Sequence, residues 1–198
     1  MVIHKPAGVL TVPGKTEDLR DCVINRLLEV EPNTLLIHRL DRDTSGILVF
    51  GLSKWGQKTI SRQFQERETS KTYQAVVAGH LDGQGTVDVP VIYDPEHPPL
   101  HIADATHHKP AFTHWQATEH FEIQGQAVTR VELTPITGRS HQLRVHMQYL
   151  GHPIIGDTLY ASTAQQQLAQ RLCLHAERLS FYHPQTEQEV AFYAPVPF

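Results

Sequence analysis

The stretch HRLDRDTSGILVF, residues 38–50, joins a densely charged segment directly to an apolar run typical of a buried strand. Its two carboxylates, Asp41 and Asp43, lie among three side chains that are cationic or can become so. These side chains are His38, Arg39 and Arg42. The segment is either a solvated loop of ion pairs, which contribute little to stability, or a loop that presents one carboxylate for chemistry on an anionic ligand.

The pattern around this stretch predicts more strands than helices. Helical spacing and capping residues predict three helices. The first covers residues 19–30, the second runs from an N-cap at Ser53 to about Gln65, and the third runs from an N-cap at Ser140 to a C-terminal end at Gly151. The second of these helices has Trp55, Ile60 and Phe64 as its apolar positions. Strands are predicted at residues 71–79, 85–93, 111–122, 126–137, 172–183 and 190–195, and residues 94–110 are predicted to form a long loop. We therefore expect an α+β fold with a mixed, largely antiparallel sheet, in a single domain over residues 1–198.

Composition places the chain among ordinary globular proteins, with 198 residues of which 40% are hydrophobic and 19% charged. The two cysteines, Cys22 and Cys173, lie in apolar segments and are expected to be buried free thiols, which suits a reducing compartment. No signal peptide and no run long enough to span a membrane is evident. These features predict a cytoplasmic protein without membrane contact.

Charge is unevenly distributed along the chain. The total is acidic, with 17 Lys and Arg against 21 Asp and Glu, whereas nucleic-acid-binding domains are usually basic. Two segments, residues 53–71 and 137–146, are nevertheless rich in basic residues. The chain could therefore keep one positive face for an anionic partner, or its charges could be scattered and solvated.

Histidine is abundant, with 14 residues, but its spacing does not indicate a metal site. His107 and His108 are adjacent, and His141 and His146 are five positions apart, so neither pair has the i, i+4 spacing that places two ligands on one helix face. The glycine-rich sequences that bind nucleotides and dinucleotides are absent as well. We therefore predict no metal and no nucleotide cofactor.

Four collinear blocks of sequence resemble the RluA-type pseudouridine synthase family. HRLDRDTSGILVF is similar to the family's active-site motif, with KPAGVLTVPG before it and KTYQAVVAG and ITGRSHQLRVHMQYLGHPIIGDTLY after it. The tail, LCLHAERLSF followed by APVP, is also similar, and the likeness covers nearly the whole chain. The middle region resembles a short dual-specificity member that modifies both a transfer RNA and large-subunit ribosomal RNA. We expect no S4-like RNA-binding domain of the kind that many relatives carry, and the start is expected to be truncated.

The resemblance implies an RNA-modifying isomerase without a cofactor, built on the pseudouridine synthase fold with an active-site cleft across the sheet. By resemblance, Asp41 is the nucleophile and Arg144 its basic partner, whose charge would favour the ionised carboxylate. Tyr73 matches the family's active-site tyrosine, which can stack on the base and move a proton. Asp43 is expected to be structural. Whether Asp41 attacks the sugar C1′ or the base C6, or whether a glycal forms, is left open.

The same resemblance gives the basic residues a role in binding RNA, because the target base must leave its stack to be reached. Arg39 would occupy the space that the flipped base vacates, or would instead form an ion pair with Asp43. The predicted RNA contacts are Arg39, Lys54, Lys58, Arg62, Lys71, Arg139 and His141. The protein is expected to act as a monomer.

Three alternatives remain at the level of sequence. A non-catalytic RNA-binding or RNA-folding protein would not need Asp41, Tyr73 and Arg144 together. A retaining glycosidase also uses a carboxylate nucleophile, but it requires a second carboxyl group as acid and base. The third alternative is a synthase of the same family with a single ribosomal RNA target.

Overall fold

The computed structural model describes all residues 1–198. The chain forms two compact units, one of residues 1–71 with 175–197 and the other of residues 72–174 with Phe198. The single domain expected from the sequence stays a prediction. None of the helices has both the length and the apolar character that crossing a bilayer requires.

The first unit is built around β3 (Ser45–Gly51), in which every residue is buried. It pairs antiparallel with β1 (Val2–Lys5) and β2 (Leu35–Leu36), and parallel with β10 (Leu174–Tyr182), which forms a hairpin with β11 (Glu189–Tyr193). Burial on both faces explains why its sequence, SGILVFG, is continuously apolar rather than alternating.

Glycine at position 46 allows the parallel pairing of β3 with β10. Gly46 has a φ of +119°, and a Cβ atom there would lie 2.2 Å from the Ala176 carbonyl oxygen. A larger residue would therefore separate the two strands.

Helix α2 (Lys54–Glu66) packs on this sheet and begins as the sequence predicts. The Ser53 hydroxyl accepts a hydrogen bond from the Gly56 N–H at 3.1 Å, which confirms the N-cap. Ile60 and Phe64 pack in the core with Val49 and Leu179. Trp55, the third apolar position of this helix, is 58% exposed instead of packed in the core.

The first predicted helix is shorter than its apolar spacing indicates. Residues Glu17–Leu19 form a 3-10 turn, and α1 covers only Val23–Val30. Cys22 between them is extended, because the next two backbone N–H groups bond to the carbonyls of Leu10 and Thr11. Pairing with that neighbouring segment replaces the first turns of the predicted helix.

The second unit contains a four-stranded antiparallel sheet in the order β4, β9, β8, β5. The strands are β4 (Ser70–Ala78), β5 (Gln84–Asp88), β8 (Phe112–Ile123) and β9 (Gln126–Pro135). All three pairings are antiparallel. Together with the parallel β3–β10 pair, they confirm the predicted α+β class with a mixed, largely antiparallel sheet.

Two short strands and two helices complete this unit. The strands β6 (Val91–Tyr93) and β7 (His101–Ala103) pair with each other. β6 is the end of the strand predicted at residues 85–93, whereas β7 lies within the region predicted to be a long loop. The helices are α3 (Gln142–Tyr149) and α4 (Thr163–Gln166). The predicted Ser140 cap is wrong by one residue, because His141 is the N-cap and adopts the left-handed conformation, with a φ of 55°. Gly151 follows the last helical turn with a φ of +83°, as predicted.

Both cysteines are buried free thiols, as predicted. Burial raises the pKa of Cys173 to about 11, so the thiolate is not formed at neutral pH. The cysteines therefore belong to the packing of the fold.

Candidate active site

The loop that carries Asp41 is fixed through its backbone on both sides. Before it, the Thr11 hydroxyl donates to the Leu40 carbonyl at 2.8 Å and accepts from the Leu40 N–H at 3.2 Å. After it, the Arg42 carbonyl accepts from the Gly8 N–H at 2.9 Å. The segment of residues 5–11, which we call the N-terminal clamp, therefore sets the backbone position of Asp41, whose side chain remains partly exposed.

Lys5 strengthens this clamp from inside the fold. Its side chain is fully buried, and its Nζ donates to the carbonyls of Pro6 at 2.9 Å, Val9 at 2.7 Å and Arg42 at 2.8 Å. A buried ammonium is tolerated only when such acceptors compensate for its lost hydration. Lys5 therefore ties the N-terminal segment to the residue next to Asp41.

The charged neighbours of Asp41 have separate partners. Arg42 pairs with Asp43 at the surface, with 3.1 Å between Nε and Oδ1, so the alternative of an Arg39–Asp43 ion pair is wrong. Arg39 is exposed. Its predicted place beside a flipped base stays a prediction.

His38 is neutral in the folded chain rather than cationic. Its Nε2 accepts a hydrogen bond from the Val49 N–H at 3.1 Å, and its ring stacks on Phe64 with centroids 4.5 Å apart. Burial, and then the nearby Lys71 ammonium, lower the pKa of His38 to about 3. His38 thus joins the start of the loop to the core of its unit.

Tyr73 lies on β4 of the second unit, opposite Leu133 on β9. Its half-buried ring packs against the apolar core of that unit. The sheet therefore fixes the tyrosine backbone through regular strand pairing.

Arg144 lies on α3 and forms a buried ion pair with Asp157. Its Nε donates to Oδ2 and its Nη2 to Oδ1, both at 2.7 Å, and the two side chains are 4% and 0% exposed. The Asp157 carboxylate also accepts from the backbone N–H groups of Leu159 and Tyr160. Such a two-point bond fixes the plane of the guanidinium as well as its position.

Tyr160 links Arg144 to another predicted site residue, His141. The guanidinium carbon of Arg144 lies 5.0 Å from the centre of the Tyr160 ring. The Tyr160 hydroxyl is 2.6 Å from Nδ1 of His141 and accepts from the His101 N–H at 2.9 Å. The structure therefore brings Arg144 and His141 together around one aromatic ring.

Buried polar side chains anchor α3 on the face next to Arg144. Gln142 donates to the Phe112 carbonyl and to the Thr113 hydroxyl at 2.9 and 3.0 Å. His146 donates from Nε2 to the Val89 carbonyl at 2.9 Å, and burial lowers its pKa, so it is a neutral structural residue. The residues from Gln142 to Met147 are all buried, which gives the helix little freedom to rotate.

The predicted RNA contacts differ in how available their charges are. Lys54 and Lys58 are exposed one helical turn apart on α2. Arg62 on the same helix pairs with Glu66 and Glu68, so part of its charge is already compensated. Lys71 is half-buried, and burial, followed by the charge of Arg67, lowers its pKa to about 8. Arg139 is exposed and donates to the Pro110 carbonyl at 3.3 Å.

Sequence reasoning did not identify the residues that position the predicted site. Lys5 reads as an ordinary charged residue in a strand, and Asp157 as a turn residue after a glycine. The sequence marks Asp157 only indirectly. In its segment, GDTLY, the acid follows Gly156 and comes before the apolar residues Leu159 and Tyr160. No spacing rule connects that acid to Arg144.

Comparisons with known proteins show the family to which the chain belongs. Residues 1–149 match the family model for RNA pseudouridylate synthase. The chain is 46% identical to the dual-specificity RNA pseudouridine synthase RluA of Pasteurella multocida and 45% identical to that of Escherichia coli strain K12, over its whole length and 90% of each relative.

A solved structure gives the same result for the fold. The human protein RNA pseudouridylate synthase domain containing 1 superposes with a TM-score of 0.83 at 30% identity, covering all of this chain and 80% of the human chain. Sequence and fold agree along the full length, and the chain belongs to the RNA pseudouridylate synthase family of isomerases.

Proposed function

We propose that the chain converts uridine to pseudouridine in both a transfer RNA and large-subunit ribosomal RNA, with Asp41 as the nucleophile. The observation that carries this proposal is the 46% identity, over the entire chain, to an enzyme named for dual specificity. The clamped loop around Asp41 supports it, because a nucleophile must be held in a fixed position relative to its target.

The reaction breaks the bond between N1 of uracil and C1′ of ribose, turns the base, and forms a bond between C5 and C1′. No electrons are gained or lost overall, so the proposal needs no redox cofactor. Asp41 supplies the attacking carboxylate, which must be ionised. Whether it attacks C1′ or C6, or whether a glycal forms, does not change its role as the group that acts first.

Arg144 is proposed to stabilise the ionised form of Asp41. Asp157 engages the Nε and Nη2 edge of the guanidinium and thereby orients the whole planar group. A guanidinium has five N–H donors in a fixed fork and can serve two carboxylates on different edges. Its charge near Asp41 would lower the pKa of that carboxyl.

Tyr73 is proposed to stack on the uracil and to accept or donate the proton at C5. The strand pairing that fixes its backbone supports this role, because a stacking ring must keep its plane. The predicted cleft across the sheet would bring Tyr73 to the substrate.

RNA is proposed to bind on the exposed basic residues. Lys54, Lys58, Arg39 and Arg139 are exposed and suited to phosphate or base contacts. Arg62 and Lys71 are weaker candidates, because the former is paired with two glutamates and the latter is half-buried. The Tyr160 hydroxyl holds the His141 ring next to Arg144, so His141 would contact RNA in a fixed orientation.

Each substrate is proposed to be a short RNA hairpin loop. Specificity is proposed to come from the nucleotides around the flipped uridine and from how easily the loop deforms. The anticodon stem-loop of a transfer RNA fits this description, as does a similar loop in ribosomal RNA. We further propose that the chain acts as a monomer in the cytoplasm.

A minimal anticodon stem-loop oligonucleotide tests the proposed substrates. The purified chain is incubated with this fragment and with unmodified transfer RNA and ribosomal RNA transcripts, and each uridine is mapped for isomerisation. Modification of the stem-loop and of one ribosomal site supports dual specificity. Modification of ribosomal RNA alone would support the single-target alternative, and RNA binding without isomerisation would support a non-catalytic RNA-binding protein.

A further inference from the structure

We propose that His80, Asp82 and His120 in the second unit form a binding site for a divalent zinc ion. The three residues come from two parts of the unit, His80 and Asp82 from the connection between β4 and β5 and His120 from β8. Their ligand atoms lie within 4.8 Å of one another. This inference does not depend on the proposed RNA-modifying function.

The distances within the cluster match the spacing of ligands around a tetrahedral metal ion. The Nε2 atom of His80 is 3.2 Å from Oδ1 of Asp82, and Nε2 of His120 is 3.4 Å from the same oxygen. Zinc bonds of about 2.0–2.1 Å at tetrahedral angles place neighbouring ligand atoms about 3.3 Å apart. Both distances therefore suit a metal ion shared by the carboxylate and the two imidazoles once the rings have rotated toward it.

The two imidazole rings lie face to face in the metal-free chain. Their centroids are 3.9 Å apart, and the planes of His80 and His120 differ by 20°. Both Nε2 atoms lie next to the same carboxylate oxygen, but an imidazole lone pair lies in the plane of its ring, so at least one ring must rotate out of the stack for both nitrogens to bind one ion. Two imidazoles and one carboxylate are a ligand set that suits zinc, with the fourth position left to water.

The backbone around the cluster is held by the sheet. The Thr129 hydroxyl, which is fully buried on β9 opposite His120, donates to the Gly79 carbonyl at 2.8 Å and accepts from the Leu81 N–H at 3.0 Å. Gly79 also donates to the Ala127 carbonyl at 2.8 Å. The loop that bears His80 and Asp82 is therefore fixed to the strands that position His120, so that less ordering is required when an ion binds.

One existing hydrogen bond must be exchanged when the ion binds. Nε2 of His120 lies 2.9 Å from the Leu81 carbonyl oxygen, which can only accept, so this nitrogen carries the ring proton in the metal-free chain. Binding requires the proton to move to Nδ1, which leaves the Nε2 lone pair for the metal. The ion would then link β8 to the loop before β5 in place of this hydrogen bond.

Calorimetric titration of the metal-stripped full chain with Zn²⁺ tests the proposal. We expect one equivalent to bind, and the affinity to fall by about tenfold or more in each of His80→Ala, Asp82→Asn and His120→Ala. The matched control is His107→Ala/His108→Ala, because that histidine pair is also in ring contact, with centroids 4.5 Å apart. Wild-type affinity in the control supports the site.

A second readout distinguishes loss of the ligands from loss of the fold. Long-range proton–nitrogen NMR spectra should show the Nε2 resonances of two histidines shifting together on addition of Zn²⁺, and Asp82→Asn should reduce this response while leaving the fold signals unchanged. The proposal is overturned if no Zn²⁺ binds, or if His80→Ala/His120→Ala retains wild-type affinity.

Discussion

Asp41 and Arg144 are held in position by opposite means. Asp41 is fixed through the backbone of its neighbours, Leu40 and Arg42, by the N-terminal clamp, and its own carboxylate is partly exposed. Arg144 is fixed through its side chain, by the two buried bonds to Asp157. The backbone bonds hold the loop in place whatever side chain residue 41 carries. The bonds to Asp157, by contrast, are lost when the Arg144 side chain is changed.

This difference determines what a substitution can reveal. Changing the Asp41 side chain leaves the clamp in place, so the loss of activity reports on chemistry. Changing Arg144 leaves a buried carboxylate without its cation, so the loss reports on stability and chemistry together. The two residues therefore need different experiments.

The largest expected effect is that of Asp41→Asn. Turnover should fall by about a thousandfold or more, because a covalent nucleophile is lost, while stability and RNA affinity remain close to those of the wild type. Single-turnover assays of pseudouridine formation and an RNA-binding titration measure the two effects. Asp43→Asn is the matched control, because Asp43 lies in the same loop and pairs with Arg42 at the surface. Turnover within tenfold of the wild type in Asp41→Asn would reject the nucleophile assignment.

Arg144→Ala should lower both turnover and the free energy of unfolding. Breaking a buried ion pair by removing one partner typically costs about 3–5 kcal/mol. The double variant Arg144→Met/Asp157→Asn removes both charges and should recover most of this stability, because no buried charge is left without a partner and the asparagine oxygen can still accept from the backbone N–H groups of Leu159 and Tyr160. Denaturant unfolding and turnover are measured on both variants.

The double variant separates the two roles of Arg144. If Arg144 acts on Asp41 as proposed, stability returns but turnover does not. Turnover that recovers together with stability would show that Arg144 is only a structural residue.

Lys5→Met breaks the clamp without touching Asp41. Three carbonyls would lose a charged donor, and we expect the free energy of unfolding to fall by about 3 kcal/mol. Turnover should decrease at temperatures where the variant is still folded, because the Asp41 backbone is less well fixed. Lys15→Met is the control, since Lys15 is exposed in the same part of the chain. Wild-type turnover in folded Lys5→Met would show that the clamp serves stability alone.

Sequence patterns predicted elements whose causes are local. The Ser53 cap, the hairpin of β8 with β9 and the glycine at the end of α3 depend on residues close together in the chain, and all three were predicted correctly. The errors arose where a distant segment intervened. Cys22 is drawn into pairing with residues 10–11, so the first helix begins later than its apolar spacing predicts.

The candidate site follows the same rule. The resemblance to a family selected Asp41, Tyr73 and Arg144, but it did not indicate Lys5 or Asp157, whose importance depends on contacts made through the fold. The cluster of His80, Asp82 and His120 was also missed, because spacing rules apply within one element and these residues come from two. Tertiary contacts of this kind have no short-range pattern from which they could be predicted.

The smallest expected effect concerns His38, which fixes the start of the Asp41 loop without contributing charge. Its pKa is about 3 in the folded chain and about 6.5 when unfolded, so protons bind preferentially to the unfolded chain. The stability associated with neutral His38 is full above about pH 6.5 and declines as the pH falls toward 3. Between pH 7 and pH 5 the loss should be about 2 kcal/mol.

Denaturant unfolding of the wild type and of His38→Gln at pH 7, 6 and 5 measures this loss. Glutamine can still accept the Val49 N–H bond but does not titrate, so its stability should change less over this range. The difference in the free energy of unfolding between the wild type and the variant should therefore shrink as the pH falls. If the loop opens when His38 is protonated, the turnover of the two proteins should also become similar. A difference in stability that stays constant from pH 7 to pH 5 would mean that His38 can be protonated in place, and that the loop is held by the N-terminal clamp alone.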